Sequence, residues 1–151
     1  MERISVRYLT RIARSYYYLH TMQIDHLVIP VLNYESAKRF YLRALEPFGF
    51  EVLLDWHDRR RAYLGVPPGP STIWLVESRK AGGLDVSIAV DDAQAVDAFH
   101  RAAIAAGARN VFEPSVRPEH DLSYYAARVV DLDANAIEVV HRGVAAARVA
   151  A

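Results

Sequence analysis

Two stretches of this 151-residue chain repeat one pattern of residue types. Residues 24–41 read IDHLVIPVLNYESAKRFY, and residues 83–100 read GLDVSIAVDDAQAVDAFH. At an offset of 59 positions the matched pairs include Ile29 with Ile88, Val31 with Val90, and Phe40 with Phe99. Each copy begins with an alternating, β-branched stretch typical of a strand and continues with the apolar spacing of a helix. The chain is therefore expected to fold as two related modules.

The remainder of each half predicts the same order of elements. Gly49 and Gly107 follow the two helices, where a left-handed residue would close the last turn. Three strand-like runs come after each glycine: 50–56, 61–66 and 72–78, then 110–115, 124–131 and 136–142. A half of this size buries too little surface alone, so the halves should associate. This predicts an α+β fold: two βαβββ modules related by pseudo-twofold symmetry, a curved mixed β-sheet enclosing a cleft, and helices on the outer face.

These patterns also set the expected boundaries. Residues 22–151 are predicted to form one domain, made of modules at 22–80 and 81–142, and residues 1–21 an N-terminal extension dispensable for the fold. Eighteen basic residues balance eighteen acidic ones, so bulk charge predicts neither a nucleic-acid nor a membrane partner. The chain has no cysteine, which excludes disulfides and thiolate sites and fits a reducing compartment, so the cytoplasm is expected.

Strand alternation selects the side chains that face the cleft. Ile29 and Val31 lie on the aliphatic face that a helix should cover, so His26 points the other way. The same argument turns Asp85 toward the cleft in the second copy. Aligning residues 71–78 with 135–142, at an offset of 64, brings Trp74 and Glu138 to equivalent places. Histidine, tryptophan, aspartate and glutamate are thus predicted to line one cleft.

The chain resembles the vicinal oxygen chelate superfamily, which includes glyoxalase I, bleomycin-resistance proteins and extradiol dioxygenases. The resemblance runs from about Gln23 to His141. It is carried by IDHLVIPVLNYESAKRFYLRALEPFGFEV, by VDAFHRAAIAAGAR and by RPEHDLSYYAARVVDLDANAIEVVHR.

In metal-dependent members, the four places named above hold a divalent cation. The resemblance implies His26, Asp85 and Glu138 as ligands of zinc, manganese, iron or magnesium, although Asp85 replaces the usual histidine and Trp74 cannot ligate. Two alternatives stay open. His26 can be a hydrogen-bonded structural residue, and Asp85 can be a solvated residue or a partner of His26.

Several further side chains are expected to contact a ligand. Trp74 is predicted to form a pocket wall whose flat surface stacks on that ligand. The other predicted substrate-binding residues are Trp56, His120, Tyr124 and Tyr125, of which the last three lie in or beside the loop RPEHDLSYY.

Two functions compete. The first is a metal-dependent enzyme acting on a small oxygenated molecule by lyase, isomerase or oxygenase chemistry. Trp74 and Asp85 depart from the patterns of glyoxalase I and the extradiol dioxygenases, which disfavours both of those activities. The alternative is a metal-free protein that binds a drug or another small molecule, as bleomycin-resistance proteins do. In either case the expected assembly is a homodimer.

Overall fold

The computed structural model describes residues 24–143, so the predicted extension at residues 1–21 lies outside the described range. The first module contains β1 (Leu27–Val31), α1 (Tyr34–Ala44), β2 (Glu51–Trp56), β3 (Arg61–Gly65) and β4 (Ser71–Glu77). The second contains β5 (Asp85–Ala89), α2 (Ala93–Ala106), β6 (Arg109–Val116), β7 (Tyr124–Val130) and β8 (Ala136–Arg142). Short 3₁₀ turns occupy Glu46–Phe48 and His57–Arg59. The predicted α+β class and βαβββ order are confirmed.

Each module forms a four-stranded mixed sheet. The strand order is β1-β4-β3-β2 in the first sheet and β5-β8-β7-β6 in the second. In both sheets the first and last strands of the module pair in parallel, and the other pairs are antiparallel. Within residues 24–143 no ladder joins β1 to β5, so the two sheets meet through side chains.

The two helices begin in the same way. Asn33 caps α1 by accepting a hydrogen bond from the backbone N–H of Ser36 at 2.9 Å. Asp92, the equivalent residue at the offset of 59, caps α2 by accepting from Ala95 at 2.8 Å. These caps satisfy backbone donors that a helix start leaves free. Among the residues that the structure describes, no helix is long and apolar enough to span a membrane.

The helices end differently, and one glycine prediction is corrected. Gly107 closes α2 in the left-handed region with φ +108°, as expected. Gly49 also has positive φ, at +72°, but it closes the 3₁₀ turn because α1 has already ended at Ala44. Pro47 has no N–H to donate to the carbonyl of Arg43, so the α-helix cannot continue through it.

One apolar core joins the two modules. Ile29 and Val96 are at most 1% exposed, and they belong to a single buried cluster with Tyr41, Leu75 and Val139. Residues of α1, α2, β1, β4, β5 and β8 line one small gap in this core. The helices therefore cover the same face of both sheets, and no helix within residues 24–143 lies on the opposite faces.

A group of buried, hydrogen-bonded polar residues connects the β7–β8 turn to the first module. We call it the polar latch, and it consists of Tyr41, Asp131, Asp133 and Asn135 with the backbone N–H of Leu32. The Tyr41 hydroxyl and the Asn135 side-chain amide donate to Asp131 Oδ2 at 2.6 and 2.8 Å. The backbone N–H groups of Asp133 and Asn135 donate to Asp131 Oδ1 at 2.9 and 2.8 Å. Leu32 donates to Asp133 Oδ2 at 3.2 Å.

The latch should make folding stability sensitive to alkaline pH. Burial, followed by the negative charge of Asp131, raises the pKa of Tyr41 above its ordinary value. The stability linked to this raised pKa is fully present below the unfolded value of about 10 and is lost as the pH rises beyond it. We expect Tyr41→Phe to make the loss of stability above about pH 10 shallower. Urea unfolding of both proteins across this range measures the slope, and equal slopes would contradict the assignment.

Candidate functional site

The helix-free face of each sheet displays the residues that strand alternation selected. Ile73 and Leu75 point into the core, at 6% and 0% exposure, and Trp74 between them points away from the helices. Glu138 in β8 lies directly opposite Ser87, whose neighbours Val86 and Ile88 pack against the core. The predicted orientation of these strands is therefore confirmed.

Four aromatic rings cross the helix-free face of the first sheet. We call them the aromatic row: His26, Trp74, Tyr63 and Trp56. The His26 and Trp74 rings stack with centroids 3.3 Å apart and planes 11° apart. Tyr63 stacks on Trp74 at 4.4 Å and 16°, and Trp56 tilts against Tyr63 at 5.2 Å. Each strand of the sheet, or the residue next to it, contributes one ring, so the row is assembled by strand pairing.

The row changes the interpretation of Trp74. His26 covers one face of the indole and Tyr63 covers the other, so Trp74 presents its edge and not its flat surface. The indole N–H is also engaged, since it donates to Ser71 Oγ at 3.1 Å. Trp56 is 38% exposed at one end of the row. At the other end, no ring of the described residues covers the second face of His26.

The helix-free face of the second sheet carries charged and hydroxyl groups instead. We call them the polar cluster: Asp85, Ser87, Tyr124, Arg128 and Glu138. Ser87 Oγ donates to Glu138 Oε1 at 2.8 Å, and the Tyr124 hydroxyl donates to the same oxygen. Arg128 donates to Asp85 Oδ2 at 2.7 Å and lies 3.9 Å from Glu138 Oε2. Glu138 is only 5% exposed, so these contacts hold a buried carboxylate in a fixed orientation.

Tyr124 keeps its proton more strongly than a free tyrosine. Its pKa is raised by burial and then by the hydrogen bond to Glu138. The Arg142 guanidinium lies 4.6 Å from the centre of the same ring. Tyr124 is therefore a neutral donor to Glu138 at physiological pH, and it contributes no negative charge to the face.

The two faces are built at equivalent positions but with opposite chemistry. Tyr63 lies opposite Trp74 in the first sheet, and Arg128 lies opposite Glu138 in the second. Neither Tyr63 nor Arg128 was among the side chains predicted from the sequence to face the cleft. Extending the alternation argument to the middle strands β3 and β7 would have found both, because each is the direct antiparallel partner of a residue already selected.

The remaining predicted ligand contacts fall in different places. The His120 ring lies 4.8 Å from the Tyr124 ring, so it borders the polar cluster. Tyr125 lies on the opposite side of β7, where its hydroxyl donates to Asp97 of α2 at 2.8 Å. The structure therefore brings His120 and Tyr124 together, whereas Tyr125 contacts α2 on the other side of the sheet.

The three predicted metal ligands do not form one group within a single chain. Across residues 24–143, no group of three or more histidine, aspartate or glutamate side chains is arranged to hold a metal ion. His26 Nδ1 lies 2.6 Å from Asp25, whereas Asp85 pairs with Arg128 and Glu138 binds two hydroxyl groups. Within that range, no hydrogen bond, ion pair or ring contact links His26 to either carboxylate. The side chains of one copy therefore do not fit a shared cation.

These features define a class of protein that is built from paired βαβββ modules. The helix-free faces of its two sheets differ in chemistry. The chain belongs to the Glyoxalase/Bleomycin resistance protein/Dioxygenase superfamily, whose family profile matches residues 23–144. This confirms the resemblance seen in the sequence. A comparison with curated proteins gives no match.

Solved structures share the fold. A glyoxalase/bleomycin resistance protein from Albidiferax ferrireducens is 27% identical, with a TM-score of 0.66 over 78% of this chain and 98% of its own. A superfamily enzyme from Burkholderia phytofirmans is 20% identical, with a TM-score of 0.61 over 81% and 100%. A lactoylglutathione lyase from Agrobacterium tumefaciens is 16% identical, with a TM-score of 0.61 over 80% and 94%.

Proposed function

We propose that this protein binds a small oxygenated molecule between an aromatic row and a polar cluster, and that it acts as a binding protein. The observation that carries the proposal is the aromatic row. Its rings are stacked on one another before any ligand arrives, so little side-chain freedom is lost on binding. A ligand with an apolar or aromatic body would rest on this row.

The polar cluster supports the oxygenated part of the proposed ligand. Arg128 offers guanidinium donors beyond those that contact Asp85, and arginine is well suited to binding carboxylate or other oxygen acceptors. Protein donors already lie near both carboxylate oxygens of Glu138. A ligand oxygen is therefore expected to accept from Arg128, and Glu138 is expected to position that guanidinium.

A homodimer would complete such a site. The aromatic row and the polar cluster belong to different sheets of one chain, and no contact connects them in the described residues. The face of the first sheet also exposes apolar side chains, among them Val28 at 45% and Leu54 at 41%. Pairing the first sheet of one copy with the second sheet of another would bury these side chains and enclose the ligand.

Intrinsic fluorescence tests the proposed site directly, because both tryptophans of the chain, Trp56 and Trp74, lie in the aromatic row. We expect a panel of small aromatic carboxylates and phenols to include ligands with Kd below about 100 μM, or about −5.5 kcal/mol. Their saturated-ring analogues should bind more weakly. Tyr125→Phe, which alters only the helix side of β7, should bind like the wild type. If no compound in the panel changes the tryptophan fluorescence, the proposal is refuted.

A metal-dependent enzyme is the second candidate, and one contact favours it. Asp25 holds Nδ1 of His26, and no residue within 24–143 hydrogen-bonds Nε2, an arrangement common in metal-binding histidines. In the proposed dimer, His26 of one copy would approach Asp85 and Glu138 of the other. Zinc, manganese, iron and magnesium are the candidate ions. Such an ion would supply Lewis-acid chemistry to an oxygenated substrate.

Metal content separates the two candidates. If the protein is a metalloenzyme, it should retain a stoichiometric divalent ion after purification. His26→Ala and Glu138→Ala should each abolish retention of the ion and preserve the circular dichroism spectrum. Asp85→His should retain the ion, because histidine is the usual ligand there. Affinity should fall as the pH is lowered, because protons compete with the ion for the imidazole and carboxylate ligands. Elemental analysis with calorimetric titration checks this, and a wild-type Kd above about 100 μM would exclude the metalloenzyme.

A further inference from the structure

A cavity of about 340 Å³ opens on the opposite side of the sheets from the proposed ligand site. Its apolar walls come from both modules and include Phe48, Phe50, Ile73, Ile88 and Val139. Ile73 and Val139 belong to the buried core, and their neighbours Trp74 and Glu138 point the other way. This volume lies at the lower end of the range of about 300–1,000 Å³ found for ligand pockets.

Pseudo-symmetry explains why the cavity exists. The two modules meet at two related seams, and residues at the offset of 59 mark the same place in each. At the first seam Leu32 donates its N–H to Asp133, and the polar latch closes the contact. At the second seam the equivalent residue is Asp91, which lines the cavity. Among residues 24–143, Asp91 has no hydrogen bond or ion pair.

The sequences of two turns account for this difference. The β7–β8 turn reads DLDAN at residues 131–135, and three of its side chains form the latch. The corresponding β3–β4 turn reads VPPGP at residues 66–70, and none of its side chains has a hydrogen-bonding group. Ser71, which aligns with Asn135, accepts from the Trp74 indole N–H in its own module. The β3–β4 turn cannot reach across its seam as the other turn does, so the seam stays open.

The chemistry of the opening selects a type of ligand. Asp91 and Asp92 lie at the rim, and no basic side chain is among the lining residues that the structure describes. The Asp92 side chain caps α2 by accepting from the Ala95 N–H. Of these two carboxylates, that of Asp91 is therefore the one that can bind a cation. Burying an apolar body against the phenyl and aliphatic walls supplies most of the binding free energy. The charge then discriminates between ligands of the same shape.

We propose that this open seam is a second binding site, which takes a compact apolar amine with its ammonium group on Asp91. The site is separate from the aromatic row and the polar cluster, so either can be disproved without the other. Amino groups on a small aromatic or branched aliphatic body match both the walls and the rim.

Three probes of one shape test the charge preference: 2-phenylethylamine, neutral 2-phenylethanol and anionic 3-phenylpropanoate. Each is titrated into the full-length protein, and binding is followed by NMR of backbone amides and methyl groups. We expect the amine to bind most tightly, by about three- to fivefold over the alcohol, the upper part of the range for a solvent-exposed ion pair. Shifts should concentrate at Ile73, Ile88 and Val90 and spare Val28 and Ser87.

Variants locate the site. Asp91→Asn should remove the preference for the amine over the alcohol, and Asp58→Asn, a matched exposed acid in the other module, should preserve it. Ala95→Leu, which fills the cavity from α2, should weaken all three probes by roughly tenfold or more. The proposal is overturned if 2-phenylethylamine does not bind saturably at millimolar concentration, if its shifts map to the helix-free faces and not to the cavity, or if Asp91→Asn keeps the full amine preference. Asp91→Asn also decides the matter if the leucine variant does not fold.

Discussion

Trp74→Ala is expected to abolish ligand binding while the protein remains folded. The substitution removes the ring that lies between His26 and Tyr63, so both neighbours lose a stacked partner and the aromatic row collapses. Each aromatic pair is worth about 0.5–1.5 kcal/mol, so we expect stability to fall by about 1–3 kcal/mol. Ligand affinity should fall by at least roughly a hundredfold, about 2.7 kcal/mol. Chemical denaturation and titration followed by Trp56 fluorescence measure the two effects separately.

The comparison with a core substitution makes this result decisive. A tryptophan packed in the core would cost about 3–5 kcal/mol when cut to alanine. A loss in that range with unchanged ligand affinity would contradict a binding role for the row. Trp74→Phe is the matched variant, since it keeps a ring between the two neighbours and should retain much of the affinity.

Asp131→Ala is expected to cause the largest loss of stability. The carboxylate accepts from the Tyr41 hydroxyl, the Asn135 side-chain amide and two backbone N–H groups, all in a region that excludes water. Each buried donor left without a partner costs about 1–3 kcal/mol, so the total should exceed about 3 kcal/mol. The melting temperature should fall by roughly 10 °C or more.

Asp133→Asn is the control from the same turn. Burial, and then the nearby charge of Asp131, raises the pKa of the Asp133 carboxyl. The neutral amide removes that repulsion and still offers an oxygen to Leu32, so we expect a change within about 1 kcal/mol. Calorimetry of the two variants checks the contrast. Equal losses would show that the turn as a whole, and not the Asp131 carboxylate, stabilises the seam.

Strand alternation was enough to predict much of this molecule. The repeat gave the order of the elements, and the period of two placed Ile29 in the core and Trp74 on the other side. The helix caps Asn33 and Asp92 also follow the repeat, because they occupy the same place in the two copies. These predictions succeed because they depend on local backbone geometry and on burial, which residue type reports directly.

Contacts between distant side chains were not readable in the same way. The sequence placed His26 with Asp85 and Glu138, but their contacts are made separately, with Trp74, Arg128 and Ser87. Which side chains meet depends on how the modules pack, and pattern alone does not specify that packing. Asp131 illustrates the same limit, because its partner Tyr41 lies 90 positions away. The D-x-D-x-N pattern predicts a turn, but it does not predict the hydrogen bonds that this turn forms with the other module.

The separation of the aromatic row from the polar cluster has an evolutionary consequence. Substitutions that reshape the apolar surface of one half leave the charges of the other half unchanged, because no hydrogen bond connects the two in the described chain. Selection can therefore alter the preferred ligand body and its preferred polar group in independent steps. Two identical faces would lack this freedom, and the different chemistry of the two halves supplies it.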